Sequence, residues 1–368
     1  MDINPLANPK GSKLVCEICQ MPAFLQCKAC KLTYYCSVEH QKADWVGIHE
    51  KICEKLAFLR QPTPFMPSKE EREKRQMQVK LMKIDLIEMS RTLAQKMLFE
   101  GKHEESVPAA MQSLRYAIDV FGVATIDLVP SYLLLGEASV GLGKLTQAED
   151  YLAKAQWTVL KTPDSSRAIK SKLYRNLGLL YAAKGDIEES LRNFADDIYH
   201  SSEEFGTDHI RTSGGYFHMA NVFFRQGKMD VADSMYRQVI NIWHEHLSDI
   251  LTQVVAMETT AKSKSRMIGP AKGLLDEISS GQDAAQDAEA VQILTSIYDI
   301  REHQTNRQAQ DLAQTCHALA MLYFVLGDIK KAKEFGRKAI VASDQVKDDN
   351  FSKSLVEFMK FCEKQSTL

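Results

Sequence analysis

Two stretches of the chain, YAAKGDIEESLRNF at residues 181–194 and YFVLGDIKKAKEF at residues 323–335, share one pattern that decides the fold. In both, a helical pattern runs into a Gly-Asp pair and a second helical pattern follows. A glycine at this place provides the positive φ that ends a helix. Four glycines lie 42 residues apart and a fifth follows 100 residues later: Gly101, Gly143, Gly185, Gly227 and Gly327. We therefore predict a repeated helical hairpin of 42 residues.

Other positions keep the same register around these glycines. Small residues lie seven positions before them (Ala94, Gly136, Gly178, Ala220, Ala320) and five positions after them (Ser106, Ala148, Ser190, Ala232, Ala332). Apolar residues lie eight positions before them (Leu93, Leu135, Leu177, Met219, Leu319). Small residues let neighbouring helices approach closely, and apolar residues fill the seam, so each hairpin buries its face against its neighbours. The pattern predicts a mostly α fold, a right-handed solenoid over residues 69–345.

The interval before the last glycine holds two repeat lengths and 16 additional residues. Residues 251–260 are predicted to form a first helix there, and the second is marked by apolar residues at helical spacing (Ala290, Leu294 and Ile297). The additional residues then form a loop at about 262–285, which is rich in Ser, Gly and charge. Residues 346–368 are predicted to be a C-terminal capping helix.

The two quoted stretches resemble tetratricopeptide (TPR) repeats, in the longer 42-residue form of the kinesin light chain. The resemblance implies that partner proteins or peptides bind on a concave face lined by the first helix of each hairpin. On this register six residues would line that face and offer donors to an acidic or C-terminal carboxylate: Lys172, Arg175, Asn176, His218, Asn221 and Arg225. The alternative interpretation, solvated polar residues on a helix surface, stays open.

The first 53 residues contain six of the eight cysteines, in pairs that two histidines complete. The order over residues 16–53 is C-x2-C-x7-C-x2-C-x5-C-x3-H-x8-H-x3-C. Each C-x2-C can form a tight turn, and residues four apart share one face of a helix. Eight N and S donors make two tetrahedral sites without a position for water, the pattern of structural zinc. The sequence predicts two structural Zn²⁺ ions bound by Cys16, Cys19, Cys27, Cys30, Cys36, His40, His49 and Cys53; a disulfide-bonded knot or a chance cluster is the alternative.

With YYCS at residues 34–37 and HQKADW at residues 40–45, this segment resembles a MYND-type zinc finger, over residues 14–57. The resemblance implies interleaved sites, one of Cys16, Cys19, Cys36 and His40 and one of Cys27, Cys30, His49 and Cys53. Several MYND fingers bind short proline-containing peptides in a shallow groove, whose glutamine and tryptophan correspond to Gln41 and Trp45.

Two positions depart from the MYND pattern. His40 stands where cysteine is commoner, a change that zinc tolerates. The spacing from Trp45 to His49 is one residue longer than usual, which could shift the tryptophan and puts the function of the groove in question. Packing of Trp45 inside the finger is the alternative to a role in peptide binding.

Residues 58–68 are predicted to be a linker, since QPTPFMP at residues 61–67 has three prolines in seven residues and favours an extended chain. Ser68 and Glu71 form a capping-box pattern that predicts the start of the next helix. A simple spacer is one interpretation. In the other, this segment, or the PLANP of residues 5–9 in the N-terminal extension 1–13, occupies the finger's own groove.

Composition excludes several classes of function. The formal net charge is −2 and the sequence pI is about 6.6, so no basic surface for nucleic acid or membranes is expected. The sequence shows no secretory signal and no membrane span, which predicts an intracellular, soluble protein. The MYND-containing methyltransferases carry a catalytic SET domain, and the predicted finger and repeats leave no stretch of this sequence long enough for one. P-loop, dinucleotide-binding and HExxH patterns are also absent from the sequence. We therefore predict that the protein is not an enzyme.

These features predict a non-enzymatic protein-interaction scaffold. The arrangement of a short MYND finger followed by long TPR units resembles MYND–TPR proteins of the cilium and flagellum. That resemblance implies association with the axoneme of the cytoskeleton, a role in motility, and partners such as another TPR protein or axonemal dynein components. Two alternatives stay open: a nuclear co-repressor-type adaptor that binds proline-rich peptides, and a chaperone co-factor that binds acidic tails.

Overall fold

The computed structural model describes residues 14–61, 65–263, 284–304, 308–345 and 349–365. The chain divides into two compact units, Met1–Gly185 and Asp186–Leu368. Among the described residues, no helix is both long enough and apolar enough to cross a membrane.

The first unit begins with a small two-stranded antiparallel sheet, in which Leu25 pairs with Tyr35 and Gln26 with Tyr34. A nearly continuous helical segment follows, and five long helices come after it. The elements are β1 (Leu25–Gln26), β2 (Tyr34–Tyr35), α1 (Val38–Asp44), a π-helical turn (Trp45–His49), α2 (Glu50–Arg60), α3 (Lys69–Phe99), α4 (His103–Phe121), a 3-10 turn (Ile126–Leu128), α5 (Val129–Gly141), α6 (Leu145–Lys161) and α7 (Arg167–Lys184).

Helices α3 and α4 form one hairpin and α5 and α6 the next, and α7 packs against α5 and α6. The predicted glycines end the first helices: all five have φ between 71° and 83°. At Gly101 the amide of Lys102 donates to the carbonyl of Met97 at 2.8 Å, which closes the helix end. A Cβ at Gly101 would meet no atom within 4 Å, so the backbone conformation and not the available space requires glycine here.

The predicted small residues lie at helix contacts. Ala94 and Ala148 are fully buried. A Cβ on Gly136 of α5 would lie 2.7 Å from Cδ2 of Leu152 on α6, so the two helices approach more closely than an alanine allows. The prediction of stacked helical hairpins is confirmed.

The second unit contains seven helices among its described residues: α8 (Ile187–Phe205), α9 (Ile210–Arg225), α10 (Met229–Ser263), α11 (Ala284–His303), α12 (Ala309–Val325), α13 (Ile329–Ser343) and α14 (Asp349–Gln365). Helices α9 and α10, and α12 and α13, form hairpins. Helix α12 also contacts α10 and α11, and it is buried along most of its length. Helix α14 packs on α13 and buries Leu355, Phe358 and Cys362 in the core.

The prediction of a separate helix over residues 251–260 is wrong. These residues continue α10, a single helix of 35 residues that contains neither glycine nor proline to end it after the hairpin. Helix α11 starts at Ala284, inside the loop expected at 262–285; residues 264–283 of that loop lie outside the described residues.

Candidate metal centre

Each C-x2-C pair sits in a tight turn that ends on a residue with positive φ. The amide of Gln20 donates to the carbonyl of Cys16 at 3.0 Å, and the amide of Lys31 donates to the carbonyl of Cys27 at 3.1 Å. Gln20 has φ 60° and Lys31 has φ 57°, an uncommon conformation for residues other than glycine. The turns point both thiols of each pair to one side.

The donor atoms form two clusters, and in each cluster all of them lie within 4.8 Å of one another. The first consists of Cys16, Cys19, Cys36 and His40, and the second of Cys27, Cys30, His49 and Cys53. The structure thus brings together the same interleaved sets that the MYND resemblance implies. All eight cysteines of the chain are free thiols.

The donor geometry fits a tetrahedral zinc ion in each cluster. His40 Nδ1 lies 3.5 Å from Cys16 Sγ and 3.1 Å from Cys36 Sγ, and His49 Nε2 lies 3.6 Å from Cys30 Sγ. Bond lengths of about 2.3 Å to sulfur and about 2.0 Å to nitrogen place tetrahedral donors roughly 3.5 Å apart. Three thiols and one imidazole per cluster leave no open coordination position. The finger binds two structural zinc ions.

For Cys16 and His49, one residue of each cluster, electrostatics favours the protonation state that binds zinc, whereas burial raises the pKa of Cys36 to about 11 and that of Cys53 to about 12. Burial of the Cys16 thiol favours its protonated form, but hydrogen bonds from the backbone at Cys19 and Cys36 outweigh burial and lower the pKa of Cys16 to about 6. Burial lowers the pKa of His49 to about 4, because the charged imidazolium is poorly solvated there. A thiolate and a neutral imidazole are the forms that coordinate the metal.

A buried carboxyl group lies beside the second histidine. Asp44 Oδ2 lies 3.5 Å from His49 Nδ1 and accepts a 2.7 Å hydrogen bond from the Tyr35 hydroxyl. Burial raises the pKa of Asp44 to about 6. His49 Nδ1 has no hydrogen-bond partner among the described residues, so Asp44 lies beside the ring without a hydrogen bond that fixes it.

The additional residue between Trp45 and His49 is accommodated by the π-helical turn. The amide of Glu50 donates to the carbonyl of Trp45, five residues earlier, and regular α-helix resumes at α2. A π turn inserts one residue into a helix without ending it. His49 and Cys53 therefore keep their i,i+4 spacing on one helix face, and the second zinc site stays intact.

The two predicted groove residues differ in exposure. Trp45 is 39% exposed, and its ring centroid lies 5.8 Å from that of His49. Gln41 is half-buried in α1, next to the first zinc cluster. One face of Trp45 thus packs inside the finger while the rest of the ring remains open to solvent.

The finger is bound to the first repeat through Glu17, which sequence reasoning missed. The Arg60 guanidinium of α2 donates to Glu17 Oε1 at 2.7 Å, and Arg115 of α4 donates to the same oxygen at 2.6 Å. Arg115 also donates to the main-chain carbonyl of Glu17. Burial alone would raise the pKa of Glu17, but the two arginines hold it below its ordinary value. No spacing rule joins residues this far apart, so the sequence offered no signal for this contact.

An apolar contact runs beside this ion pair. Ile48, Ile52 and Leu56, on one face of the finger's helical segment, are 2% exposed or less. They share a single core cluster with residues of α3, α4 and α5, among them Leu86, Leu98, Ala109 and Leu135. Next to them, a Cβ on Gly47 would lie 2.7 Å from the Glu105 carbonyl oxygen of α4. The finger and the first repeats therefore share one core.

Only part of the expected linker, residues 58–68, is extended. Residues 58–60 belong to α2, and the Arg75 guanidinium of α3 lies 3.6 Å from the ring centroid of Phe58. The predicted helix start is confirmed, since Ser68 is the N-cap residue of α3, but the Ser68 side chain makes no capping hydrogen bond. The Arg72 side chain donates to the carbonyls of Met66 and Pro67 at this helix start. Residues 5–9 and 62–64 lie outside the described residues.

The six residues expected on the concave face are divided between the two units. In the first unit Lys172 is exposed and Arg175 half-buried, whereas Asn176 is buried and donates to the Lys172 carbonyl. In the second unit His218 stacks on Phe194 with ring centroids 5.6 Å apart, and Asn221 accepts a 2.7 Å hydrogen bond from Tyr236. Arg225 is exposed.

A cleft of about 410 Å³ in the second unit was not foreseen. It lies between α10, α12 and α14 and is lined by Ser248, Leu251, Thr252, Val255, His317, Met321, Ser354, Glu357, Phe358 and Phe361. His317 Nδ1 lies 3.0 Å from His244 Nε2, while its Nε2 is buried without a hydrogen-bond partner among the described residues. Burial lowers the pKa of His317 to about 3.

Comparison with known families matches both parts of the chain. Residues 16–53 match the family model of the MYND finger. Residues 170–245 and residues 313–342 match two models of the tetratricopeptide repeat.

Three of the similar solved structures come from two organisms. A protein of Podosopora anserina, described as a kinesin light chain with nearly identical TPR-like repeats, is 17% identical over 62% of this chain and 100% of its own, with a TM-score of 0.30. A single-residue variant of that protein is 17% identical over 59% of this chain and 95% of its own, with a TM-score of 0.29. BtubC (BKLC) of P. vanneervenii is 15% identical over 65% of this chain and 89% of its own, with a TM-score of 0.32.

Proposed function

Because the chain carries a MYND finger followed by tetratricopeptide repeats, we propose that it is a non-enzymatic adaptor that presents the finger and the first repeats to partners as one rigid body. MYND and TPR modules mediate protein–protein interactions. The contact of Glu17 with Arg60 and Arg115 supports the rigid arrangement, because it orients the finger without the linker. Partners bound to the finger and to these repeats would be held at a defined distance from each other.

The zinc sites support a structural role over a catalytic one. We propose Cys16, Cys19, Cys36 and His40 as the ligands of one ion and Cys27, Cys30, His49 and Cys53 as those of the other. A catalytic zinc keeps one position open for water or substrate, and four protein donors per ion fill all positions. The finger therefore provides a folded surface and no reaction centre.

The exposed part of Trp45 supports a peptide site on the finger, with Gln41 beside it. Val38 and Val46, close by in the sequence, are also largely exposed apolar residues. Titration with a proline-rich peptide tests this site. Trp45→Ala should abolish binding, whereas Trp157→Ala, which removes an exposed tryptophan from α6, should leave it unchanged. Equal binding by both variants would overturn the proposal.

The repeats offer two further surfaces. The cleft between α10, α12 and α14 suits an apolar side chain of a partner, with a basic group near the Glu357 carboxylate in its lining. Met321→Glu should then weaken partner binding. In the first unit the exposed Lys172, with Arg175, suits an acidic tail, and in the second unit the exposed Arg225 does. Arg175→Ala and Arg225→Ala test the two positions separately, for the alternative of a chaperone co-factor.

We propose that the partners belong to the axoneme of cilia or flagella, including another TPR protein or dynein components. The similarity of the whole arrangement to axonemal MYND–TPR proteins supports this location. Affinity purification of the tagged chain from ciliated and from non-ciliated cells tests it. The expected result is co-purification of axonemal proteins from ciliated cells alone and retention on axonemes after detergent extraction. Recovery of transcription factors with proline-rich segments would favour the nuclear adaptor instead.

A further inference from the structure

The first C-x2-C turn contains a carboxylate that the repeats hold. Glu17 lies between Cys16 and Cys19, and its side chain is only 13% exposed. Arg60 also binds Thr33 Oγ1 at 3.0 Å and the Leu32 carbonyl at 3.3 Å, close to the second C-x2-C turn. One guanidinium from the finger's own helix thus spans both zinc turns, and the Arg115 guanidinium from the repeats completes the contact with the first turn.

The second zinc site is connected to the repeats through apolar contacts. His49 and Cys53 are i,i+4 ligands on one face of the helical segment, and the residue before each, Ile48 and Ile52, is buried in the repeat core. The same short helix therefore carries two residues of the second donor cluster on one face and packs against the repeats with the adjacent face. A displacement of the repeat core would move both ligands together.

We infer that Arg115 is a positioning residue for the zinc centre, and that the first repeat is part of the structure that holds the metal. Arg115 fixes the main chain between Cys16 and Cys19 by binding the Glu17 carbonyl as well as its carboxylate. This contact couples the ordering of the Cys16–Cys19 turn to the folding of the first repeat. This inference requires the zinc sites, and it does not depend on which partner the adaptor binds.

Zinc transfer from the zinc-loaded full chain to a chromogenic chelator tests this inference. Loss of an outer-shell partner typically weakens metal binding about 10–100-fold, so Arg115→Ala should release one zinc ion at least about tenfold more readily than the unmodified chain. Lys83→Ala is the matched control, because it removes the ion pair of Lys83 with Asp119 between α3 and α4 without touching the finger. Arg115→Lys should restore part of the retention.

Cobalt(II) substitution separates positioning of the metal site from a general loss of stability. The thiolate-to-cobalt charge-transfer band of Arg115→Ala should change in intensity, while its helical circular dichroism stays that of the unmodified chain. If Arg115→Ala loses helicity, the same measurement is made on Glu17→Gln, which leaves both arginines in place. Zinc release and cobalt spectra equal to those of Lys83→Ala would overturn the inference.

Discussion

The guanidinium of Arg115 donates to both the carboxylate and the main-chain carbonyl of Glu17, a residue 98 positions earlier in the chain. One residue belongs to the first repeat and the other to a zinc-binding turn. The orientation of the finger is therefore fixed by side-chain contacts and a shared core. The proline-rich segment joins the two parts of the chain but does not orient them.

Ile52→Ala should destabilise the first unit by about 2–5 kcal/mol. The side chain is 1% exposed and lies in the core cluster that the finger shares with α3, α4 and α5, and large-to-small core changes of this kind leave a cavity. Urea denaturation of the zinc-loaded chain, followed by circular dichroism, measures the loss. Val46→Ala is the control, since Val46 is 53% exposed and should change stability by less than about 0.5 kcal/mol. Equal midpoints for the two variants would disprove the shared core.

Gly47→Ala should lower the free energy of unfolding of the first unit by about 1–3 kcal/mol, because it disturbs the contact between the finger and α4. The added methyl would lie 2.7 Å from the Glu105 carbonyl oxygen and 3.1 Å from the Pro108 ring. Neither can rotate away, because both belong to the rigid backbone and ring of α4. The same denaturation experiment applies, with Glu50→Ala on the exposed face of α2 as the control. A stability at or above that of Glu50→Ala would contradict the close approach.

The second unit should lose stability as the pH falls below about 6.5, the ordinary pKa of histidine. Burial lowers the pKa of His317 to about 3 and also lowers that of His244, so the unfolded chain binds protons that the folded chain does not. Between about pH 7 and pH 5 this linkage costs roughly 2 kcal/mol for His317 alone. Below a pH of about 3 the folded state also binds the proton and the loss stops increasing.

Hydrogen exchange of the α12 amides, corrected for the intrinsic rates, measures this effect locally and separates it from acid release of zinc. His317→Gln should reduce the pH dependence, whereas His303→Gln, at an exposed position, should preserve it. An unchanged slope in His317→Gln would assign the pH dependence to other groups.

The purified chain should contain close to two zinc ions by elemental analysis. Cys27→Ser should lose at least one of them, because Cys27 belongs to the second donor cluster. Cys316→Ser, which changes a buried cysteine of the second unit, should still contain two. A disulfide-bonded finger would instead contain no zinc and show no difference between the two variants.

The repeats were predictable because their signal is periodic. A glycine that ends a helix, a small residue one turn or two away, and an apolar residue in the seam recur at fixed distances around Gly143 or Gly227. The long helix α10 was not predicted, since the register was extended across residues 251–260 although no glycine or proline there ends the helix. The repeat pattern thus predicts which residues lie between helices, but the end of a helix is predicted only where a residue such as glycine or proline ends it.

The cysteine and histidine pairs of the finger were also visible in the sequence, whereas the contact between the finger and the first repeats was not. Ile48, Ile52 and Leu56 have the spacing of a buried helix face, but a finger of this size could bury such a face against itself. In the structure these three side chains are covered by α3 and α4. A single sequence does not show which distant segments lie next to each other, so this contact could not be predicted. Arg115 and Glu17 lacked a signal for the same reason.

Removing zinc from the full chain tests most directly the claim that the finger and the first repeat fold as one body. Hydrogen exchange should show protection lost in the finger and also in α3 and α4 when a chelator removes both ions, while α6, farther along the first unit, retains its protection. Loss of protection confined to residues 14–61, with α3 and α4 unchanged, would contradict it.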